Sequence, residues 1–320
     1  MEGSNMNLTD IRGVKVGHYT DSDCVTGLTA ILFPDGAVAS GEVRGAAPGT
    51  REMSLLSPER TVQRIDAVLL TGGSAFGLDS ASGVMRYLSQ QGRGVEAAGE
   101  LVPIVPAAVI FDLNIGCSVY PDGNDAYHAC KNASEEPVQQ GSVGAGTGAT
   151  VGKAAGVERS SKGGLGSSCV DLAGGGRVGA VCCINALGNV VDEQGTTLAG
   201  VRKSEGGYHS AEDIILAGGF SASHHPSNTT LSVVVTDVCL DKVACLRVAQ
   251  MAHDGMARSI YPCHTAYDGD AVFVVSLQRK NGSAMQVGIA AARVVAESIR
   301  RGVQEAESLG GIPSGLGAVR

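Results

Sequence analysis

The chain has 320 residues and a formal net charge of −8, with 46 glycines and no tryptophan. The acidic balance and the lack of a lysine- or arginine-rich block exclude the electrostatic pattern of a nucleic-acid-binding protein. The N-terminus has no basic segment followed by an apolar run, and no uncharged apolar stretch is long enough to span a bilayer. We therefore expect a compact, turn-rich cytoplasmic protein with neither a nucleic-acid nor a membrane partner.

The first part of the chain predicts a mixture of strands and helices. Short apolar runs predict strands at 14–18, 27–33, 38–43 and 67–70. Helices are predicted at 57–65 and 78–91. Another strand is expected over 102–111, close to a sheet edge or a bulge because Pro103 and Pro106 interrupt it.

The later part of the chain predicts strands that alternate with helices. Strands are predicted at 179–186, 231–235 and 271–277, and helices at 242–257 and 284–309. Polar, irregular segments are predicted at 119–142 and 194–228. The order strand, helix, strand, helix indicates α/β layering.

Two glycine-rich loops need separate interpretation. Residues 72–77 follow a predicted strand and open a helix, but they fit neither a nucleophile elbow nor a dinucleotide fingerprint. Close helix packing is favoured there, with a minor role for the amides of Gly73 and Ser74 in binding a substrate carboxylate or oxyanion. Residues 144–153 resemble a phosphate loop but lack its first glycine and its magnesium-binding hydroxyl. No nucleotide site is expected, and what remains is Lys153 at the end of a tight loop.

The cysteines and histidines do not predict a metal site. The nine cysteines lack zinc-ligand spacing, and most are expected to be small, reduced core residues. Cys117 and Cys263 lie beside loops and are the candidates for a single reactive thiol. The adjacent pair His224 and His225 is expected to be exposed loop, so we expect no metal.

Asn228 and Thr229 stand where a polar loop meets an apolar strand. One interpretation is a turn before a strand, because Asn tolerates unusual backbone angles and Thr suits strands. The other makes Thr229 a nucleophile that cleavage after Asn228 exposes as a new N-terminus, at the end of an exposed segment. Asn228 also fits a glycosylation motif, but that interpretation requires secretion. The window alone favours the turn.

Several segments together resemble the DmpA-type aminopeptidases, a family that includes L-aminopeptidase/D-esterases, β-peptidyl aminopeptidases and the 6-aminohexanoate (nylon) oligomer hydrolases. The segments are 13–18, 43–52, 70–79 and 144–153, of which Val-Arg-Gly-Ala-Ala-Pro-Gly-Thr-Arg-Glu is the most specific. The resemblance implies one α/β domain over 1–320 with an αββα sandwich. It also implies a precursor that cuts itself into an alpha chain, 1–228, and a beta chain, 229–320. This favours Thr229 as the nucleophile.

The resemblance further implies a catalytic set of Thr229, Asn185, Lys153, Asp268 and Asp270, without a cofactor. A threonine hydroxyl needs a base, and an α-amine freed by cleavage, with a pKa of about 7.7 to 8.0, supplies one. The Asn185 amide is expected to donate to the oxyanion, and one aspartate to orient the Thr229 amine or hydroxyl. Lys153 is expected to keep that amine neutral by charge repulsion.

One departure and two alternatives accompany this interpretation. Phe111 is expected to bind substrate, but it stands in a segment where some family members carry a Tyr whose hydroxyl helps at the oxyanion or proton-transfer step. A reduced rate or an altered substrate choice is therefore expected. The expected function is hydrolysis of small amides or peptides with a free amino end. Alternatives are acyl transfer of the ornithine acetyltransferase type and an uncleaved small-molecule-binding protein. The resemblance implies a homo-oligomer, a tetramer of processed heterodimers.

Overall fold

The computed structural model describes residues 6–220 and 228–315. Its strands in these ranges are β1 (Lys15–Asp21), β2 (Thr26–Val43), β3 (Thr50–Arg51), β4 (Arg64–Thr71), β5 (Val95–Ala97), β6 (Glu100–Val102), β7 (Ala107–Val109), β8 (Thr150–Val151), β9 (Ser161–Lys162), β10 (Gly164–Asp171), β11 (Arg177–Asn185), β12 (Asn189–Val191), β13 (Thr197–Ala199), β14 (Val201–Arg202), β15 (Tyr208–His209), β16 (Thr229–Val238), β17 (Ile260–Tyr261) and β18 (Ala271–Lys280).

The α-helices are α1 (Ala81–Gln90), α2 (Gly123–Lys131), α3 (Ala211–Leu216), α4 (Lys242–Ala257) and α5 (Ala284–Gln304). Short 3₁₀ helices are Leu8–Asp10, Met53–Leu56, Ser74–Ser80, Gly144–Gly146 and Val157–Arg159. Among the described residues, no helix is long and apolar enough to cross a membrane.

The main sheet runs in the order β10, β11, β16, β18, β2, β4, β7 and β3, and β1 also pairs with β2. The pairs β16 with β18 and β4 with β7 are parallel, and the other pairs in this sheet are antiparallel. Strand β2 is long enough for its two parts to pair with different strands. Residues 28–32 pair with β4, and residues 38–43 pair with β18, with an irregularity between them. The long strand therefore joins two halves of one sheet.

The two halves face each other across a shared apolar core. Leu70 of β4 lies in the same core cluster as Val233 of β16 and Phe273 of β18. Alternate side chains point outward, as the two-residue period of a strand requires. Val234 packs in the cluster that contains α4 and α5, and Leu69 packs in the cluster that contains α1 and α2. The layers are therefore helix, sheet, sheet, helix, which confirms the expected αββα sandwich.

Several sequence predictions agree closely with the structure. Helix α4 has the predicted bounds, and β4, β16 and β18 contain the predicted apolar runs. Strand β11 contains the predicted run except for Ala186. The strands predicted at 27–33 and 38–43 are two parts of β2. The run 102–111 is split into β6 and β7, with the interruption falling at the two prolines.

Other predictions were wrong. No helix forms over 57–65, because this segment has few apolar residues and Ile65 enters β4, where it pairs with Ala37. The irregular segment 119–142 contains α2, which begins after an Asp122 cap whose side chain accepts from the amides of Asn124 and Asp125. Helix α5 ends at Gln304 rather than near 309, since the chain turns back where Leu309 pairs with Ile312. Within 194–220, short strands and α3 replace part of the expected irregular chain.

Candidate active site

The junction between Asn228 and Thr229 lies inside the molecule. Each residue is 5% exposed, and Thr229 is the first residue of β16, directly opposite Asn185 of β11. Asn228 forms a parallel bridge with Asp268. The expectation that a cut here would fall at an exposed position is therefore wrong for the junction itself, while residues 221–227 lie outside the described residues. A bond this well buried is poorly accessible to another protease.

The Thr229 hydroxyl is held against the peptide bond that precedes it. Its Oγ1 donates to the Asn228 carbonyl oxygen at 2.5 Å, and the Gly269 amide donates to the same oxygen at 2.8 Å. A Cβ added at Gly269 would lie 2.7 Å from Thr229 Oγ1, so this close approach requires glycine. The carbonyl between Asn228 and Thr229 thus has two donors, one of which is the candidate nucleophile.

Asn185 and Lys153 meet beside Thr229. Lys153 Nζ donates to the Asn185 backbone oxygen at 2.9 Å and to its Oδ1 at 2.8 Å, and the Thr150 amide donates to Oδ1 at 3.0 Å. These donors fix the carboxamide so that Nδ2 donates to the Phe111 carbonyl oxygen at 3.4 Å. The geometry brings together two residues that are 32 positions apart in the sequence.

The Lys153 ammonium is buried, although most lysines are solvated. Burial lowers the pKa of Lys153 to about 7, and the negative charge of Asp268 opposes this effect. Near neutral pH the lysine therefore exists in both protonation states. A group that titrates in this range inside a buried cluster is typical of a functional site.

Asp268 and Asp270 are both 1% exposed, but they bind different partners. Asp268 Oδ2 accepts from the amide and hydroxyl of Thr265, and its Oδ1 accepts from the Leu187 amide at 3.4 Å. Burial, and then the nearby charge of Asp270, raise the pKa of Asp268. Asp268 therefore holds a turn beside the strand end that carries Asn185.

Asp270 contacts β16, the strand that begins at Thr229, through the main chain. Its Oδ1 accepts from the Thr230 amide at 2.6 Å, while its Oδ2 accepts from the His264 amide at 3.0 Å and from His264 Nδ1 at 2.7 Å. Asp270 thus acts on the backbone next to Thr229 rather than on the threonine side chain. The sequence could not divide these roles between the two aspartates.

A cavity of about 140 Å³ adjoins the junction. Its walls are small or apolar and carry no charged side chain: Ala47, Pro48, Gly49, Ser74, Ala75, Val109, Phe111, Asn228 and Thr229. Phe111 and Ser74, both predicted from the sequence to bind substrate, therefore lie on the same cavity as Thr229. Gly73 adjoins Ser74 but does not line the cavity.

The amides of Gly73 and Ser74 already have partners. Gly73 donates to Asp112 Oδ1 at 2.7 Å, and Ser74 donates to the Ile110 oxygen at 2.9 Å. The buried Asp112 also accepts from the Thr26 hydroxyl at 2.8 Å, and burial raises its pKa. Both amides are therefore bound within the protein, one of them to an aspartate that the sequence did not single out, and their role as substrate donors stays a prediction.

The residues missed by the sequence are His264, Thr265 and Asp112. Each contacts a predicted site residue: His264 binds Asp270, Thr265 binds Asp268, and Asp112 binds Gly73. The contact of Asp112 joins distant parts of the chain. His264 has a positive φ of 55°, which is uncommon outside glycine, but nothing in the sequence around it signals this conformation. Only the folded structure reveals that it reaches Asp270.

The cysteine prediction needs one correction. Cys24 and Cys117 form a disulfide bond, so Cys117 is not a free thiol. Cys263 is free and partly exposed, and the buried cysteines are free as expected. Within the described ranges, no group of three or more His, Cys, Asp or Glu side chains has the geometry to hold a metal ion, and the pair His224 and His225 lies outside them.

Comparisons with known proteins define the class to which this fold and site belong. The model of peptidase family S58 matches residues 6–314. An uncharacterized aminopeptidase of Mycobacterium leprae is 41% identical over 97% of this chain and 93% of its own length. The 6-aminohexanoate-oligomer endohydrolase of Paenarthrobacter ureafaciens is 32% identical over 86% of this chain and 76% of its own.

The fold has a solved counterpart in the L-aminopeptidase D-Ala-esterase/amidase of Ochrobactrum anthropi, described as a variant of the Ntn hydrolase fold. It superposes with a TM-score of 0.71 at 19% identity, over 98% of this chain and 90% of that one. The molecule thus has the fold of the Ntn hydrolases, and its family makes it a hydrolase of peptide and amide bonds. The chain belongs to peptidase family S58, with aminopeptidases among its relatives.

Proposed function

We propose that this protein is a self-cleaving threonine hydrolase of small amides or peptides with a free amino end, and that Thr229 is its nucleophile. The observation that carries the proposal is the pair of hydrogen bonds to the Asn228 carbonyl oxygen. One comes from the Thr229 hydroxyl and the other from the Gly269 amide. Membership of peptidase family S58 supports the reaction class.

This geometry supports self-cleavage by an N-to-O shift. Thr229 Oγ bonds to the Asn228 carbonyl carbon, and the carbonyl oxygen becomes negative in the tetrahedral intermediate. The Gly269 amide, already 2.8 Å from that oxygen, stabilises the charge. The C–N bond then breaks as the Thr229 nitrogen takes up the proton that the hydroxyl released, which leaves a free α-amine and Asn228 as an ester on Thr229. Water hydrolyses the ester to give the Asn228 carboxylate and the Thr229 hydroxyl.

The same hydroxyl then acts on substrates in the adjoining cavity. The new α-amine accepts the hydroxyl proton, so no histidine base is needed. The oxygen attacks the substrate amide, the amine of the substrate leaves with a proton, and an acyl-enzyme forms. Water releases the acid and restores Thr229. The small, uncharged walls of the cavity favour a short substrate group at this position.

Asn185 and Lys153 support this turnover. Because Lys153 and Thr150 bind the carboxamide oxygen of Asn185, its nitrogen Nδ2 is the end that donates, and we assign it to the substrate oxyanion. When protonated, Lys153 disfavours a second positive charge on the Thr229 amine. A neutral amine is the form that accepts the hydroxyl proton.

Intact-mass measurement under denaturing conditions tests self-cleavage. We expect wild-type protein to give two chains, 1–228 and 229–320, and Thr229→Ala to give one uncut chain. Thr229→Ser keeps a hydroxyl and should still be cut. The matched control is Thr230→Val, which removes the neighbouring buried hydroxyl without changing side-chain shape. It should be cut like the wild type.

Two results would contradict the proposal. A wild-type chain that stays whole after prolonged incubation would leave Thr229 as an ordinary strand residue. Cleavage of Thr229→Ala at the same bond would assign the cut to another nucleophile or to a contaminating protease.

A further inference from the structure

The Asp270 carboxylate connects the strand of Thr229 to His264. Of its two oxygens, one accepts from the Thr230 amide, and the other accepts from both the amide and the Nδ1 of His264. His264 thus supplies two of the three donors that hold this carboxylate. Hydrogen bonds to an ionised group in a site that excludes water are stronger than those between neutral groups.

His264 itself is held in an unusual conformation. Its φ of 55° lies in the left-handed region, and its ring packs edge-on against His253 with the ring centroids 4.8 Å apart. Burial by itself lowers the pKa of His264, but the hydrogen bond to the Asp270 side chain outweighs this and raises it to about 10. Nδ1 therefore carries a proton at neutral pH and can donate to Asp270.

Asp270 lies between the two parts of the chain that surround the bond to be cut. Through the Thr230 amide it fixes the backbone directly after Thr229, and through its own backbone it fixes Gly269, the neighbour that donates to Asn228. A small rotation of this carboxylate would move the hydroxyl and the Gly269 amide relative to the carbonyl that both must reach. Misplacements of about 1 Å cost on the order of 100-fold in rate in enzymes.

We propose that His264 is a positioning residue for self-cleavage, and that it acts by fixing Asp270 and thereby the backbone on both sides of the Asn228 carbonyl. The inference rests on the proposed function, because it concerns the geometry of the Thr229 reaction. Sequence patterns gave no reason to select His264, since its link to the junction exists only through Asp270.

The test follows the conversion of full-length chain into two chains during cell-free translation, which needs no added substrate. His264→Ala removes the side-chain donor, and we expect the first-order rate to fall about 10- to 100-fold, the size of a lost hydrogen bond to a charged group. His264→Asn keeps a donor near the position of Nδ1 and tolerates a positive φ. It should stay within about threefold of the wild type.

A double-mutant cycle separates positioning from a general loss of stability. If His264 acts through Asp270, then His264→Ala should slow an Asp270→Asn protein by less than about twofold further. The matched control is His253→Gln, which alters the ring packed against His264 but leaves the contact with Asp270. It should cleave within about twofold of the wild type. Melting temperatures of all variants should not rank in the order of the cleavage rates.

The outcomes distinguish a failure of the role proposed for His264 from a failure of the proposed function. If wild type cleaves, Thr229→Ala does not, and His264→Ala cleaves within threefold of wild type, then the role of His264 is wrong and the nucleophile stands. If the rate losses of His264→Ala and Asp270→Asn multiply in the double variant, His264 does not act through Asp270 and the proposed role is also wrong. If wild type never cleaves, the proposed function fails and this inference fails with it. Should the alanine variant not fold, His264→Gln takes its place, because its longer side chain misplaces the donor, and it should be slow where His264→Asn is not.

Discussion

Two hydroxyl groups line the same cavity, and their surroundings differ. Thr229 begins a central strand, and its oxygen lies against the Asn228 carbonyl that Gly269 also contacts. Ser74 opens a 3₁₀ helix, and its amide donates to the main-chain oxygen of Ile110. The contrast indicates that the neighbouring groups, rather than the residue type, distinguish the proposed nucleophile from the other hydroxyl.

The largest expected effect compares these two hydroxyls directly. Thr229→Ala should lower hydrolysis of alanine p-nitroanilide by about 10⁴-fold or more, because nucleophile deletions in hydrolases have effects of this size. Ser74→Gly removes the other hydroxyl and suits the positive φ of that position. It should stay within about tenfold of the wild type. Equal losses of activity in the two variants would mean that the surroundings of the two hydroxyls do not distinguish their roles.

The next effect concerns the oxyanion. Asn185→Ala removes the Nδ2 donor, and we expect kcat to fall about 100- to 1000-fold with KM little changed, as for other oxyanion donors. Steady-state kinetics on processed enzyme measures this, and a melting curve checks that the protein is folded. A variant that changes KM alone would mean that Asn185 binds substrate and does not stabilise the transition state.

Lys153 gives a pH-dependent prediction for stability. Its pKa falls from 10.5 in the unfolded chain to about 7 in the fold, so between these values the unfolded state binds more protons and stability rises with pH. Lys153→Met removes this dependence. The stability of Lys153→Met relative to wild type should therefore be greatest below pH 7 and should decline as the pH rises toward 10. Thermal unfolding across this range measures it, and a constant difference would place the Lys153 pKa outside the window.

The smallest effect concerns the cavity wall. Phe111→Tyr adds a hydroxyl where some relatives are expected to carry one, and Phe111 lines the cavity beside Thr229. We expect kcat/KM for small amides to change by less than about tenfold, because the proposed oxyanion donor, Asn185, is unchanged in this variant. Parallel assays of alanine and leucine p-nitroanilides measure it. A larger change would assign the hydroxyl a direct part in the reaction.

Local patterns predicted the elements whose burial is regular. The apolar period of α4 and the β-branched run of β16 describe elements packed on the core, so their patterns were unambiguous. Helix α2 was missed because polar residues surround it, although the capping pair Asp122 and Asp125 was a readable start signal. The union of two predicted strands in β2 depends on pairing with both β4 and β18, which no local window contains.

The site was predictable only in part, and for a different reason. Resemblance to a family selected Thr229, Asn185 and Lys153, and the fold brings Asn185 and Lys153 into contact beside Thr229. The partners that hold the aspartates were not predictable, because His264 reaches Asp270 through an unusual backbone angle rather than through a sequence motif. Contacts between distant segments, such as that of Asp112 with Thr26, were not predictable either, because no sequence motif signals them.

The most direct measurement of the central claim is the location of the acyl-enzyme. Processed protein is mixed with alanine p-nitrophenyl ester, quenched in acid within milliseconds, digested and mapped by mass spectrometry. We expect one added alanyl group on the wild-type peptide that begins at Thr229. If this group migrates from the hydroxyl to the α-amine, it remains on the same peptide as a stable amide. The Thr229→Ala protein should carry no such group. An alanyl group on any other residue, or turnover without an adduct at Thr229, would contradict the central claim.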